Sequence, residues 1–131
     1  MAETKYGKYV AEQKIDHPPF GPVLNFSGED SFKSNFSMFA IYVTKPILME
    51  EKAHSHEFDM YVIFAGSDPD NMEDLGAEIE ICLGEEEEKH VITKPTVVYL
   101  PKGMVHCPLN FKRVDKPVMF LHATIAPKYV K

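Results

Sequence analysis

Two histidines, His54 and His56, lie at the head of an apolar run that ends at Gly66. Side chains alternate between the two faces of a β-strand, so residues two apart share a face. We therefore expect the two imidazoles to point the same way, and a pair at this spacing can hold one metal ion. Taken alone the pair is weak evidence, because many such pairs are ordinary surface residues.

A third histidine follows a predicted turn. Pro101 and Gly103 come directly after the strand-like segment Thr96–Leu100, and they favour a tight turn before His106. His106 then begins a new strand, on which parity gives it the same face as Pro108 and Asn110. A turn that brings this imidazole opposite the first pair would complete a three-histidine metal site.

The elements that must position these histidines are strands. Segments of strand length, rich in Val, Ile, Tyr and Phe, lie at residues 36–43, 58–65, 77–84, 89–93, 96–100 and 117–125. Residues 77–84 alternate between polar and apolar, so we expect one wet face there. The glutamate run between Gly84 and His90 predicts a charged hairpin. Residues 68–76 are the one helical indication, with room for a single turn of helix.

Composition restricts the class of protein. The chain has 131 residues, of which 44% are apolar and 26% charged, as in one soluble globular domain. A net charge of −6 argues against a nucleic-acid partner. No apolar run approaches the length of a membrane helix, and the first residues do not resemble a secretory signal, so we expect a cytoplasmic protein with no membrane partner. Cys82 and Cys107 are expected to be free thiols.

The sequence resembles the small single-domain cupins from about residue 36 to residue 125. The second cupin motif, Pro-x-Gly-x-x-His-x-x-x-Asn, matches at Pro101, Gly103, His106 and Asn110. The first motif, His-x-His followed by a glutamate and a glycine, matches in part, at His54, His56 and Gly66.

This resemblance implies an all-β double-stranded β-helix, a jelly-roll barrel with a pocket in its mouth. The barrel is expected to span residues 36–131. Residues 1–35 would form an N-terminal arm that packs on the barrel or on a partner subunit, and the resemblance implies a homodimer. In metal-binding cupins the matching histidines are ligands. His54, His56 and His106 would thus hold one divalent ion, with iron, zinc, nickel and manganese all left open.

The first motif departs from the family at Met60, which stands where the glutamate is expected. Three outcomes are open. Met60 is an apolar pocket wall that leaves a position on the metal free; or Asp59 or Glu57 supplies the carboxylate through a β-bulge; or the Met60 thioether binds copper.

Other residues are candidates for the pocket. His122, in the last apolar strand, is either an acid, base or substrate donor in the pocket or a hydrogen-bonded core histidine. Phe58, Met104 and Phe120 are expected to supply apolar wall, together with Met60. On strand parity Cys107 should face away from His106 and serve in packing.

These residues predict a metal-dependent cupin that acts on a small oxygenated or carboxylated metabolite, by isomerase, lyase or dioxygenase chemistry. The alternative is a non-catalytic cupin that binds or senses a small molecule or a metal. The sequence names no catalytic residue. An acid or base beside the metal, His122 above all, would favour the enzyme.

Overall fold

The part of the chain that the structure describes folds into ten strands and one short 3-10 helix. A computed structural model describes residues 4–19 and 21–130. The strands are β1 Ile15–Asp16, β2 Val23–Ser27, β3 Ser37–Val43, β4 Ile47–Glu50, β5 Met60–Ala65, β6 Ala77–Leu83, β7 Glu88–Ile92, β8 Thr96–Leu100, β9 His106–Val114 and β10 Val118–Thr124. The 3-10 helix is Gly7–Tyr9. In the part of the chain that is described, no helix has the length and apolarity needed to cross a membrane.

The strands form two antiparallel sheets. One has six strands in the order β1-β2-β3-β10-β5-β8, and the other has four in the order β4-β9-β6-β7. The chain passes between the sheets several times, as from β4 to β5 and from β8 to β9, which is the winding of a jelly roll. The predicted all-β, double-stranded β-helix is therefore confirmed.

The strand predictions agree closely with the structure. The predicted segment 96–100 is β8, and each of the other five segments overlaps an observed strand whose ends lie within two residues of the predicted ones. The strands β1, β2 and β4 were not predicted. β1 and β2 lie within residues 1–35 and extend the larger sheet, because β2 pairs with β3 from Val23↔Ile41 to Ser27↔Ser37.

The predicted helical turn at 68–76 is wrong, because this segment consists of turns and bends. Two backbone N–H groups of this segment donate hydrogen bonds to aspartate side chains. The Asp68 carboxylate accepts from the backbone N–H of Asp70 at 2.9 Å, and that of Asp74 accepts from Gly76 at 2.9 Å. Such local bonds compete with helix formation. Lys116 then ties the segment down by pairing with both aspartates, at 3.3 and 3.5 Å.

The core lies between the inner faces of the two sheets. Its centre is an aromatic cluster in which the Phe64 and Phe120 rings stack at 5.3 Å and Phe111 packs edge-on against both. The predicted wet face of β6 is confirmed: Ile79 and Ile81 are buried, while Glu78 and Glu80, which alternate with them, are partly exposed. The predicted charged hairpin joins β6 to β7.

Strand register brings the candidate residues to one end of the barrel. Met60, the first residue of β5, pairs with Leu100 at the end of β8 and with Thr124 at the end of β10. The turn after Leu100 leads directly into β9, which begins at His106. This end of the barrel is therefore where side chains from both motifs can meet.

The aromatic cluster should dominate stability. We expect Phe111→Ala to lower the free energy of unfolding by about 3 to 5 kcal/mol, because it removes a fully buried ring and leaves a cavity. Lys112→Ala, on the outer face of the same strand, is the matched control and should change it by less than about 0.5 kcal/mol. Urea denaturation measures both, and equal effects would contradict this placement of the core.

Candidate functional site

The structure brings the three predicted histidines together. Backbone hydrogen bonds join His54 to His106, at 3.0 Å from the His54 N–H and 2.8 Å from the His106 N–H. The ring centroids lie 4.6 Å apart for His54 and His106, 4.8 Å for His54 and His56, and 5.2 Å for His56 and His106. Segments some fifty residues apart in sequence thus form one imidazole cluster.

Each of the three rings donates from Nδ1 to a backbone carbonyl oxygen at 3.0 Å. The acceptors for His54, His56 and His106 are, in that order, the carbonyls of Lys52, Val130 and Met104. A carbonyl oxygen only accepts, so Nδ1 carries a proton, and in the neutral ring the lone pair is then on Nε2. This is the usual state of a histidine that ligates a metal through Nε2.

His106 is the most buried of the cluster, with 3% of its surface exposed. Its Nε2 is buried and has no hydrogen-bond partner among the described residues. Burial is the main cause that lowers the pKa of His106, and the neighbouring histidines lower it further. The imidazole is therefore neutral at pH 7 and its lone pair is available to a ligand.

One group of potential metal-ligand atoms includes a cysteine. Atoms of His54, His106 and Cys107 all lie within 4.8 Å of one another, and His56 is not a member of that group. The His56 Nε2 instead lies 3.4 Å from the Tyr129 hydroxyl. Burial raises the pKa of Tyr129 to about 12, so the phenol is protonated and donates to this nitrogen.

The prediction that Cys107 faces away from the site is wrong, because β9 contains a β-bulge. Ile81 pairs with Leu109, but Leu83 pairs with His106, so β9 contains one more residue than β6 over this interval. Cys107 has a positive φ of 83°. A bulge interrupts the alternation of side chains, and the consecutive residues His106 and Cys107 are both buried.

The same bulge reverses the predicted face of Asn110. Beyond it, Leu109 and Phe111 are the buried residues of β9. Asn110 lies between them and pairs across the sheet with Glu80, on the outer face. The expectation that Asn110 shares a face with His106 is therefore wrong, although it is part of the motif.

A cavity of about 210 Å³ adjoins the histidine cluster. Of the predicted pocket residues, Met60, Phe120 and His122 line it. Phe58 and Met104 do not: Phe58 stacks on the outer side of His56 at 5.0 Å, and Met104 packs against the core.

The two carboxylates proposed to replace the missing glutamate do not line this cavity. Asp59 Oδ1 accepts from the backbone N–H of Lys102 at 2.8 Å, and Glu57 is exposed. The carboxylate that does line the cavity is Glu50, at the end of β4. No motif indicated it, because β4 is a four-residue strand without a clear sequence signal.

His122 is buried beside the cluster, with 7% of its surface exposed. Its ring stacks on Phe39 at 4.5 Å, and the Tyr129 ring meets it edge-on at 4.9 Å. Burial, followed by the charges of His56 and His106, lowers the pKa of His122 to about 4. The imidazole is thus neutral at physiological pH.

The segment after β10, residues 125–130, which we name the C-terminal strap, carries no sequence motif that indicates a role in the site. It supplies Tyr129 and the Val130 carbonyl to His56. The strap is held to the end of β2, because the Pro127 carbonyl accepts from the Ser27 hydroxyl at 2.9 Å and from the Glu29 N–H at 2.8 Å. It therefore closes over one side of the histidine cluster.

Comparison with known proteins gives a likeness of fold. No protein-family model and no curated protein sequence matches this chain. Among solved structures, a single-residue variant of Bacillus subtilis oxalate decarboxylase superposes with a TM-score of 0.61 at 10% identity, over 91% of this chain and 29% of that one. A second structure of that enzyme, from work on its Mn(II) centres, gives a TM-score of 0.60 at the same identity and the same coverage of both chains.

This chain therefore spans less than a third of the length of the chains it superposes on. At such low identity the likeness concerns the fold alone. The predicted resemblance to the cupins is confirmed at the level of the fold, since the described residues form the double-stranded β-helix.

The buried His122 should make stability depend on pH. Its folded pKa of about 4 lies below the ordinary value of 6.5, so between pH 7 and pH 5 the unfolded chain binds a proton that the folded chain does not. We expect the metal-free protein to lose about 2 kcal/mol of stability over this range through His122. Urea denaturation at both pH values, in the presence of a chelator, measures the loss.

His122→Phe should reduce this pH dependence, whereas His90→Phe, at an exposed position on β7, should leave it unchanged. An identical pH dependence in the two variants would show that His122 is not the group responsible.

Proposed function

We propose that the chain is a metal-dependent cupin enzyme that acts on a small oxygenated or carboxylated metabolite. The observation that carries this proposal is the arrangement of the histidines. Three imidazoles donate hydrogen bonds from Nδ1 to backbone carbonyls, and the buried His106 Nε2 has no hydrogen-bond partner among the described residues. A buried acceptor left in this way costs free energy unless an ion or a ligand satisfies it.

The donor set fits one divalent ion held by His54, His56 and His106. Neutral imidazoles suit iron, zinc, nickel and manganese. The hydrogen bonds from Nδ1 to backbone carbonyls orient the rings, as is usual for histidines that bind a metal. The Mn(II) centres of the oxalate decarboxylase with the same fold support a divalent metal. When bound, the ion would supply Lewis-acid chemistry to an oxygen of the substrate.

The third ligand has two candidates. His56 is available once its Nε2 gives up the Tyr129 hydroxyl, which lies at the long distance of 3.4 Å. Cys107 is already within 4.8 Å of the other two ligand atoms. A thiolate would shift the preference toward zinc, whereas three neutral imidazoles leave the choice of metal broader. We favour His56, because its Nδ1 contact matches those of the other two histidines.

The chain's own residues support catalysis on a small molecule. His122 is a neutral imidazole in the wall of the same cavity, where it can accept or donate a proton. Met60 and Phe120 are buried and exclude water. The cavity of about 210 Å³ is smaller than usual ligand pockets, which favours a substrate of few atoms.

The reaction class stays open between isomerase, lyase and dioxygenase. The structures with the same fold belong to a decarboxylase, which supports a carboxylated substrate.

The second candidate function is a non-catalytic cupin that binds or senses a small molecule or metal, and the observation in its favour is Met60 in place of the glutamate. We further propose a homodimer in the cytoplasm.

Metal content tests the proposal. We expect untagged protein to carry one divalent ion per chain by elemental mass spectrometry, and the double variant His54→Ala, His106→Ala to carry almost none. His56→Ala should lose most of the metal and Cys107→Ser should keep it. His90→Ala is the control at an exposed histidine. Absence of metal from wild-type protein even after its addition would sink the proposal, and loss in Cys107→Ser alone would reassign the third ligand.

The contact between Tyr129 and His56 should compete with the metal. We expect Tyr129→Phe to bind added zinc about two- to tenfold more tightly, because a net hydrogen bond of about 0.5 to 1.5 kcal/mol no longer has to be broken. Competition with a chromogenic chelator measures the affinity. Tyr99→Phe, at an exposed tyrosine on β8, is the matched control. Weaker binding by Tyr129→Phe would mean that the phenol supports the metal instead of competing with it.

A further inference from the structure

We name the cavity of about 210 Å³ at the histidine cluster the metal pocket. A second cavity, of about 400 Å³, lies beside it. It is bounded by β2, β3, the end of β10 and the C-terminal strap, and we name it the strap cavity. Phe39, His122 and Tyr129 line both this cavity and the metal pocket. Apart from these shared residues, the residues that line the strap cavity take no part in the proposed function.

Three buried polar atoms in residues that line the strap cavity have no hydrogen-bond partner among the described residues. They are Ser37 Oγ, Thr124 Oγ1 and His122 Nδ1. The exposed fractions of these residues are 3%, 0% and 7%. Ser37 and Thr124 are paired directly across β3 and β10, and His122 is the next inward residue of β10.

Such a cluster is costly. An unsatisfied buried hydroxyl or ring nitrogen costs about 1 to 3 kcal/mol, so natural proteins keep few of them and usually satisfy them with water or a ligand. These three side chains are contributed by adjacent positions in the wall of one cavity. A molecule that enters the cavity and bonds to all three would recover this cost.

The other lining residues indicate what kind of molecule fits. Asn25 and Gln13 add amides, which like hydroxyls can both donate and accept. Lys128 is the one cationic side chain among the described lining residues, and its Nζ pairs with Glu29 at 3.5 Å. Asp30 adds a further carboxylate. An anion would therefore meet no surplus of positive charge, whereas the hydroxyl groups of a neutral ligand would find acceptors.

Aromatic rings complete the wall. Phe26, Phe39 and Tyr129 offer apolar surface between the polar groups. Alternating apolar faces and polar atoms suit a molecule with C–H groups on its faces and hydroxyls on its edges. The volume of about 400 Å³ lies at the small end of the range for ligand pockets, about 300 to 1,000 Å³.

We propose that the strap cavity binds a neutral polyhydroxylated molecule of monosaccharide size, with Ser37, Thr124 and His122 as its buried polar contacts. This site goes beyond the proposed function and does not depend on a bound metal. Since the two cavities share three wall residues, a ligand here lies next to the metal pocket.

Titration calorimetry on the full chain tests the site, with D-glucose, D-xylose and xylitol as neutral probes and sodium gluconate as the anionic counterpart. The titrations are run with a chelator and again with added zinc. We expect at least one neutral probe to bind saturably in both conditions. The double variant Ser37→Ala, Thr124→Val should weaken that binding at least tenfold, since it removes two hydrogen bonds.

The control is Ser55→Ala, Thr96→Val, which removes the same two groups from positions outside the cavity and should leave binding unchanged. If the buried double variant does not fold, Asn25→Ala serves instead, because this residue is exposed at the rim and should also weaken binding.

Each of these results would overturn the proposal: saturation by none of the neutral probes, tighter binding of gluconate than of glucose, or wild-type affinity in the cavity variants. The first would leave ordered water as the partner of the buried groups. Loss of polyol binding in His54→Ala, His106→Ala would also overturn it, because the ligand would then belong to the metal pocket. Loss of metal without loss of polyol bears only on the proposed function.

Discussion

The site depends on the pair of backbone hydrogen bonds between His54 and His106. These two bonds tie the segment before β5 to the start of β9 across the end of the barrel. A third bond, from the Gly103 N–H to the His56 carbonyl at 2.9 Å, holds the intervening turn against the same segment. Gly103 has a positive φ of 85°, which a residue without a Cβ adopts readily. The spacing of the three imidazoles follows from these backbone contacts.

Burial then determines the chemistry of the cluster. Burial disfavours the charged imidazolium of His106 and lowers the pKa of this residue. Carbonyl acceptors at Nδ1 decide which nitrogen keeps its proton, so the lone pairs are on Nε2. His122 is also buried, its pKa is lowered by that burial to about 4, and it extends the row of imidazoles toward the strap cavity. Neutral nitrogen donors of this kind can hold a metal without first losing a proton.

The strap connects the two cavities. Tyr129 contacts His56 on one side and His122 on the other, and its ring contributes to both walls. Two bonds to the Pro127 carbonyl hold the strap on β2. Access to the metal pocket and to the strap cavity is therefore limited by the same few residues.

Much of the fold could be predicted from the sequence because its signals are local. Alternation in β6, and the β-branched and aromatic runs of β5, β8 and β10, require only neighbouring residues to be interpreted. The helical turn at 68–76 failed because Asp68 and Asp74 bond to the backbone, which helix-forming composition does not reveal. The predicted faces of Cys107 and Asn110 were wrong because strand parity assumes a regular strand, and β9 contains a bulge.

The sequence by itself determined most of the strands, the cupin motifs and the histidines that the motifs contain, since these depend on residue type and short spacing. Only the tertiary structure decided what stands around them. Glu50 in the pocket, Tyr129 at His56 and the buried hydroxyls of Ser37 and Thr124 come from segments far apart in the chain, and Cys107 joins His106 in the site because of the bulge. Their proximity is set by strand register and by one bulge, which involve pairing between distant residues and leave no local pattern.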